Sequence, residues 1–481
     1  MPKPAGPAPK ESPSRRNGAI SEQMARPFVS LAGRAPDGLL EPSSTVILPG
    51  LLLLCVFLVF AALMMTRRMP ALLALPCMAV AIGAIAGLFF DWNAVPAEAG
   101  APRSLGEFVF TTILTDGPAR LAGAMMYAIF GSILSQVVIR TGIAQRIIGV
   151  AAEYAGDRKI LLAFLMTVVV AGCFTSVTGL GAVIMLGSLA LPILVGAGLS
   201  GTFAAGLMLF AIALGGVFNP AILGFYQDTL KLPLEVVKDY VVMYGGLLAL
   251  ATLAFLVVGG WRERRAFAWA VAPEVPSSRV PLVALLTPIL PIILIMLVDL
   301  PIIPAFLVGM FWGVLSTQPR KALDHLTAAT LEGLKDVSPV IGLFMGIGMA
   351  LNSMMAEPTK AVIAPFLQAV IPDSPLPFIL FFTVFAPLAL YRGPFNFYGL
   401  GAGVAGLILG TGLLPPVAIL AAFFAVGQIQ GVCDPTNTHN VWLAQFTRTS
   451  TEKLLKDTIP YVWAFVFIAL TWAVLFAGAL R

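Results

Sequence analysis

Gly431-Val432-Cys433-Asp434-Pro435-Thr436-Asn437-Thr438-His439-Asn440 interrupts an apolar run that occupies 416–429. Eight of these ten residues are polar or break helices. Hydrocarbon tolerates such backbone only where it lines a protein cavity or a substrate site, because an unpaired N–H or C=O finds no water there. The same shape occurs once earlier: Gly216-Val217-Phe218-Asn219-Pro220 matches Gly431-Val432-Cys433-Asp434-Pro435 at an offset of 215. Upstream of each lies a second matched pair, Thr178-Gly179-Leu180-Gly181-Ala182 and Tyr398-Gly399-Leu400-Gly401-Ala402, at an offset of 220. Two matches in the same order, at nearly the same offset, mark an internal repeat.

The surrounding composition says what kind of chain carries these breaks. Of 481 residues, 59% are hydrophobic and 11% charged, and the mean hydropathy is +0.94. That is the composition of a polytopic helical membrane protein. The net charge of +5 does not imply a nucleic-acid partner, because the basic residues sit in short loops between apolar runs. Cys55, Cys77, Cys173 and Cys433 lie in apolar segments at no metal-binding or disulfide spacing. The first residues lack the apolar core of a cleavable signal.

Taken in order, residues 1–44 read as a polar, Pro-rich tail. Residues 45–260 read as a first repeat, with spans at 45–65, 71–90 and 118–139 and an interfacial helix at 143–155. A re-entrant hairpin at 160–197 follows, because its two apolar arms are interrupted by Phe174 to Gly181 and one straight helix of that length would exceed the bilayer. A span at 203–225 broken at Gly215 to Pro220 and a span at 241–259 complete the half. Residues 261–279 read as a cytoplasmic linker. Residues 280–481 repeat the plan: spans at 280–298 and 304–317, an amphipathic stretch at 320–336, a span at 338–355, and an amphipathic connector at 356–373. The second hairpin covers 376–413 with its tip at Arg392 to Gly401. A broken span at 416–445 and a last span at 458–480 end the chain.

Basic residues assign the sides. Arg67 and Arg68, then Arg140 to Lys159, Arg262 to Arg279, Arg320 to Lys335 and Arg448 to Lys456 place sixteen Lys and Arg on one face. The opposite loops and chain end hold six, so the first face is cytoplasmic. Ten spans result, with both termini outside and the two halves in opposite orientations. Topology from charge and repeat from motifs agree.

Breaks of this kind expose free N–H groups at one half-helix start and free C=O groups at the other half-helix end. The first attracts anions, the second Na⁺ or a proton-bearing group. Two tips and two breaks related by inverted symmetry are expected to build one site at the midplane. Its candidate substrate-binding residues are Thr175, Ser176, Thr178, Asn219, Asn396, Thr436, Asn437 and Thr438, together with Arg392. A guanidinium at that depth needs an anion or water, unless it forms a structural pair with Asp434. Asp434 is the one carboxylate inside a break and the candidate for cation coupling, against a helix-capping role. His439 titrates near physiological pH and is the second coupling candidate. Gly216, Asn219, Gly431 and Asp434 are where Na⁺ would sit. Ser132, Ser135, Gln136, Asn352 and Ser353 lie outside the four clusters and read as bonds between helices.

At these residues the chain resembles the ion transporter superfamily of secondary carriers for organic anions, which includes citrate, dicarboxylate and gluconate carriers and the large membrane subunit of TRAP transporters. Thr436-Asn437-Thr438 comes closest to the Ser-Asn-Thr signatures with which such carriers bind substrate carboxylate and Na⁺. The resemblance implies a homodimer working by an elevator motion. The expected function is secondary transport of a small carboxylate across a bacterial inner membrane, driven by Na⁺ or H⁺, with no other cofactor. The alternatives are the membrane subunit of a tripartite system fed by a periplasmic binding protein, and a cation/proton antiporter using Asp434 and His439. No HExxH, GxSxG or paired catalytic aspartates suggest an enzyme.

Overall fold

The computed structural model describes residues 44–94, 102–263 and 280–480. The expected tail (apart from Ser44) and the linker beyond Glu263 lie outside the described residues, where nothing bears on them. Everything regular in the described chain is helical. Leu51, Leu250 and Phe467 stand 60%, 63% and 46% exposed. Apolar side chains exposed along long helices face lipid, and the chain is a multi-pass membrane protein.

The first helices are α1 (Ser44–Met65) and α2 (Ala71–Leu88). A helical segment absent from the sequence reading follows. It runs as an α-turn at Leu105–Glu107, π-turns at Phe108–Thr115 and another α-turn at Asp116–Ala119. Then come α3 (Ala122–Arg140) and the amphipathic α4 (Ile143–Ala155), the latter burying Ile143, Ile148 and Ala151 as its periodicity predicts. Helices α5 (Lys159–Phe174) and α6 (Leu180–Gly196) form a helix–loop–helix hairpin. At 16 and 17 residues and 1.5 Å per residue, neither arm reaches across a bilayer core of about 30 Å. Helices α7 (Gly201–Val217) and α8 (Pro220–Leu230) meet at a bend of 57°, and α9 (Leu234–Glu263) follows. The broken helix therefore runs five residues beyond the expected 225, and the next helix starts at Leu234, ahead of the expected 241.

The later part departs from expectation near its start. A single span at 280–298 does not form. A 3-10 turn (Leu282–Leu286) precedes the nine-residue α10 (Leu290–Val298). Pro288 lacks an N–H, and Pro291 withholds the one that would close the next turn. Helix α11 (Ile302–Thr317) has 16 residues. The amphipathic stretch and the span expected at 320–336 and 338–355 are one helix, α12 (Ala322–Met354), continuous through Pro339. After α13 (Glu357–Val370), a second hairpin consists of α14 (Pro375–Val384), a 3-10 turn (Ala386–Arg392) and α15 (Leu400–Thr411). A second break separates α16 (Pro416–Cys433) from α17 (Thr438–Phe446), and α18 (Thr451–Leu475) ends the fold. Among the described residues eight helical stretches are long and apolar enough to cross a membrane, nine if α7–α8 counts as one span, against ten expected.

Two groups of helices share the core. In one, α12 packs along α2 and α3, and α11 along α3. In the other, α5 packs on α7, α16 on α18, and α9 on both α7 and α18. Helix α8 leaves the second group to pack against α3.

Candidate functional site

Each hairpin tip is tied to the break that follows it in the chain. At the first, Asn219 sits in extended backbone (φ −75°, ψ 122°) as the N-cap of α8, its Oδ1 accepting from the Ala221 N–H at 3.0 Å. Pro220 at the first helical position has no N–H to satisfy. The Asn219 amide donates to the carbonyls of Phe174 (3.0 Å), the last residue of α5, and Val177 (3.5 Å), in the loop that follows. Asn219 is 1% exposed, so all its polar atoms serve the protein.

The hydroxyls predicted at this tip also turn inward. Thr175 Oγ1 lies 2.8 Å from both the Gly172 and Pro288 carbonyls, and Ser176 donates to the same Pro288 carbonyl. That acceptor lies between the 3-10 turn and α10. Thr178 is half-buried, and its carbonyl accepts from Ser135 at 3.4 Å. Beside it Gln136, read as a bond between helices, donates from Nε2 to Oδ2 of Asp336, a carboxylate the sequence did not single out, at 2.6 Å. A Cβ placed on Gly181 would stand 3.4 Å from that same oxygen. Ser132, Ser135, Asn352 and Ser353 bond across to carbonyls of Gly333, Thr178, Thr112 and Ala79, as interhelical polar residues do.

At the second junction Asp434 occupies the same backbone conformation (φ −68°, ψ 113°). Its Oδ1 accepts from the Thr436 N–H and hydroxyl, both 2.8 Å, and from the Tyr391 N–H of the hairpin tip at 3.1 Å. Its Oδ2 is buried with no hydrogen-bond partner. Tyr391 and Arg392 both lie in the left-handed region, at φ 54° and 59°. Arg392 is half-buried and enters no ion pair among the described residues, so the Arg392–Asp434 pair does not form. Asn396 folds the tip, its Oδ1 accepting from Tyr398 N–H and its carbonyl from the N–H groups of Gly399 and Gly401.

The C-terminal carbonyls of α16 are capped in sequence by the next residues. Asn437 Nδ2 reaches the Gln430 carbonyl at 3.4 Å, His439 Nε2 the Gly431 carbonyl at 3.0 Å, and Asn440 Nδ2 the Val432 carbonyl at 2.9 Å. The same Nε2 lies 3.0 Å from Asn437 Nδ2, so this ring nitrogen stands between a carbonyl acceptor and an amide donor. These are the orphan acceptors of a broken helix, here satisfied by side chains. Thr438 is exposed. Asn440 belongs to this set although the sequence reading passed over it.

The hairpins also touch the opposite broken helix. Tyr226 of α8 stacks on Phe397 at 4.4 Å and 7°, and Phe225 on Tyr398 at 5.1 Å and 24°. Trp442 of α17 covers Gly187 of α6 so closely that a Cβ there would lie 2.5 Å from the ring. The four expected clusters thus meet as two polar junctions bridged by aromatic contacts. A cavity of about 350 Å³ beside α4 and α5 and another of about 520 Å³ near Tyr240 and Trp472 include none of the predicted polar residues. Among the described residues no cluster of His, Cys, Asp and Glu could hold a metal ion.

No protein-family model matches the sequence, and no curated protein matches it. Among solved structures the chain is similar to the YdaH transporter of Alcanivorax borkumensis, with a TM-score of 0.57 at 16% identity, over 90% of this chain and 99% of that one. A weaker likeness, TM-score 0.46 at 12% identity over 88% and 93%, is to MtrF of Neisseria gonorrhoeae, described as one of a class of antimetabolite efflux pumps. The chain has the fold of a membrane transporter.

Proposed function

We propose that the protein is a secondary active transporter that moves a small carboxylate across the bacterial inner membrane, coupled to Na⁺ or H⁺. In this reading 45–260 and 280–481 are inverted repeats, both termini are outside, and a homodimer carries hairpins and broken helices past α2, α3, α11 and α12 as an elevator. Arg392 carries the argument. A guanidinium held at a hairpin tip without a carboxylate partner is costly unless water or an anionic ligand meets it. The polar groups of Asn219, Asn396, Asn437 and His439 bond within the protein, and in this reading the cargo is left to Arg392, Thr178 and Thr438. Substrate binding there would gain a charge-assisted pair of about 1.5–3 kcal/mol.

The test is thermal shift and uptake with a panel of mono-, di- and tricarboxylates, with and without Na⁺, on purified and reconstituted protein. A stabilising carboxylate whose affinity falls about tenfold in Arg392→Lys, which keeps charge and loses the fork, is the expected result. Normal binding in correctly folded Arg392→Ala would remove the anion reading. The bare Oδ2 of Asp434 separately favours the antiporter alternative. Proton or Na⁺ flux through proteoliposomes without any organic anion would then replace symport.

A further inference from the structure

Asn219 and Asp434 stand at matched places in the repeated Gly-Val-x-Asx-Pro sequence, and their backbone angles agree within 10°. Their side chains do the same work with one atom. Each Oδ1 accepts the N–H two residues on, from Ala221 in one case and Thr436 in the other. They differ at the second atom. Asn219 has an Nδ2 that donates to the carbonyls of its own hairpin tip. Asp434 has an Oδ2, buried and without a partner. Only Oδ1, through the Tyr391 N–H, holds the second tip, at a point where two consecutive non-glycine residues have positive φ.

We infer that the two junctions divide the labour of coupling: Asn219 is a permanent clamp that keeps the first hairpin shut on its broken helix, and Asp434 is a clamp completed only when a monovalent cation reaches Oδ2. This rests on the transport reading for its purpose, though not for its geometry. A proton on Oδ2 supplies the donor that Asn219 has in its amide. A sodium ion there would neutralise the charge on the carboxylate. Either removes the cost of a buried unpaired carboxylate and fastens the second hairpin. The titratable groups beside Asp434 are His439 and Cys433 of its own break, and the hairpin meets it through the Tyr391 N–H. His439 is engaged with the Gly431 carbonyl. One of two pseudo-equivalent gates therefore carries the cation site, and only that gate responds to it.

The experiment places single cysteines at Thr178 and Pro394, both half-buried at the tips, in chains with the four native cysteines replaced. Reaction with a water-soluble maleimide is timed in nanodiscs, with choline against Na⁺ in one arm and high against low pH in the other. The cysteine at 394 should react about tenfold more slowly once the cation is present, the factor set by one charge-assisted bond. The arm that shows it identifies the ion. The cysteine at 178 should react at one rate throughout. Asp434→Asn, which copies the Asn219 atoms, should hold 394 at the slow rate in every condition, and Asn219→Asp should make 178 cation-dependent. A response at both tips or neither in the parent, or a response at 394 that survives Asp434→Asn, overturns the inference. Should Asp434→Asn not fold, an unchanged rate at 178 in Asn219→Asp does the same. No substrate is needed, so tips that behave as expected in a protein that carries no carboxylate would sink the cargo and leave the clamp standing.

Discussion

Tyr391 and Arg392 are where the chain departs furthest from ordinary backbone. Left-handed conformations cost non-glycine residues about 1–2 kcal/mol each, and here two occur in succession. Asp434 opposes that cost through the Tyr391 N–H, and Gly393 permits it. A Cβ on Gly393 would lie 2.1 Å from the Leu388 carbonyl, so no other residue fits. Tyr391 itself is 41% exposed and contributes little packing. Tyr391→Gly should therefore unfold at a higher temperature than Tyr391→Ala, by about 1 kcal/mol in stability, reversing the usual ranking of the two residues. Equal or inverted melting temperatures in detergent would mean that the tip holds no such strain. At this scale the sequence singles out Asp434 and Arg392, since charge within a broken span is rare. It could not say where the side chains of Asn437, His439 and Asn440 point, because the non-helical turn before α17 sets the register of that helix and has no fixed side-chain period of its own. Asp336 escaped notice for another reason: it lies on an amphipathic stretch where a carboxylate is ordinary.

Among the elements, both hairpins and both broken helices were legible, because Pro, Gly and clustered hydroxyls interrupt apolar runs that nothing else explains. The differences fall where an amphipathic stretch runs on into a span and where prolines divide one. The stretches 320–336 and 338–355 read as separate, yet α12 runs through both and through Pro339, with Ser338 Oγ donating to the freed Lys335 carbonyl at 2.9 Å. Pro288 and Pro291 were absorbed into a span that they in fact divide. The run of π-turns at Phe108–Thr115 had no sequence signal, since its residues are those of an ordinary helix. What holds α12 against α3 is closeness at Gly333. A Cβ there would meet the Ile133 Cα at 2.8 Å and its N at 2.9 Å, backbone atoms that cannot swing aside. Gly333→Ala should cost about 1–3 kcal/mol by forcing the helices apart. Gly246→Ala, where nothing lies within 4 Å, should be neutral or stabilising by up to about 1 kcal/mol. Equal losses in the two variants would mean that the α3–α12 crossing is looser than drawn.

For the whole molecule, the proposal of inverted halves turns on which side of the membrane two exposed positions occupy. Lys321 leads into α12, within the set of basic residues assigned to the cytoplasm, and Asp373 lies between α13 and the second hairpin, on the face with fewer. In the chain α12 and α13 separate them, and α13 has 14 residues. A helix of that length falls short of a bilayer by about 10 Å, so α12 alone makes the crossing and the two positions must differ in side. Positive charge resists transfer out of the cytoplasm, which fixes the sign of the difference. In right-side-out cells an impermeant maleimide should label a single cysteine at 373 and leave one at 321 untouched until the membrane is opened. The equivalent position before the first hairpin, Asp157 between α4 and α5, should behave as 321 does, because inversion places the two hairpin entrances on opposite sides. If 157 and 373 label together from outside, the halves are parallel. Tips that enter from one side could not alternate access around a shared site by exchanging roles, and the elevator mechanism would lose its symmetry argument.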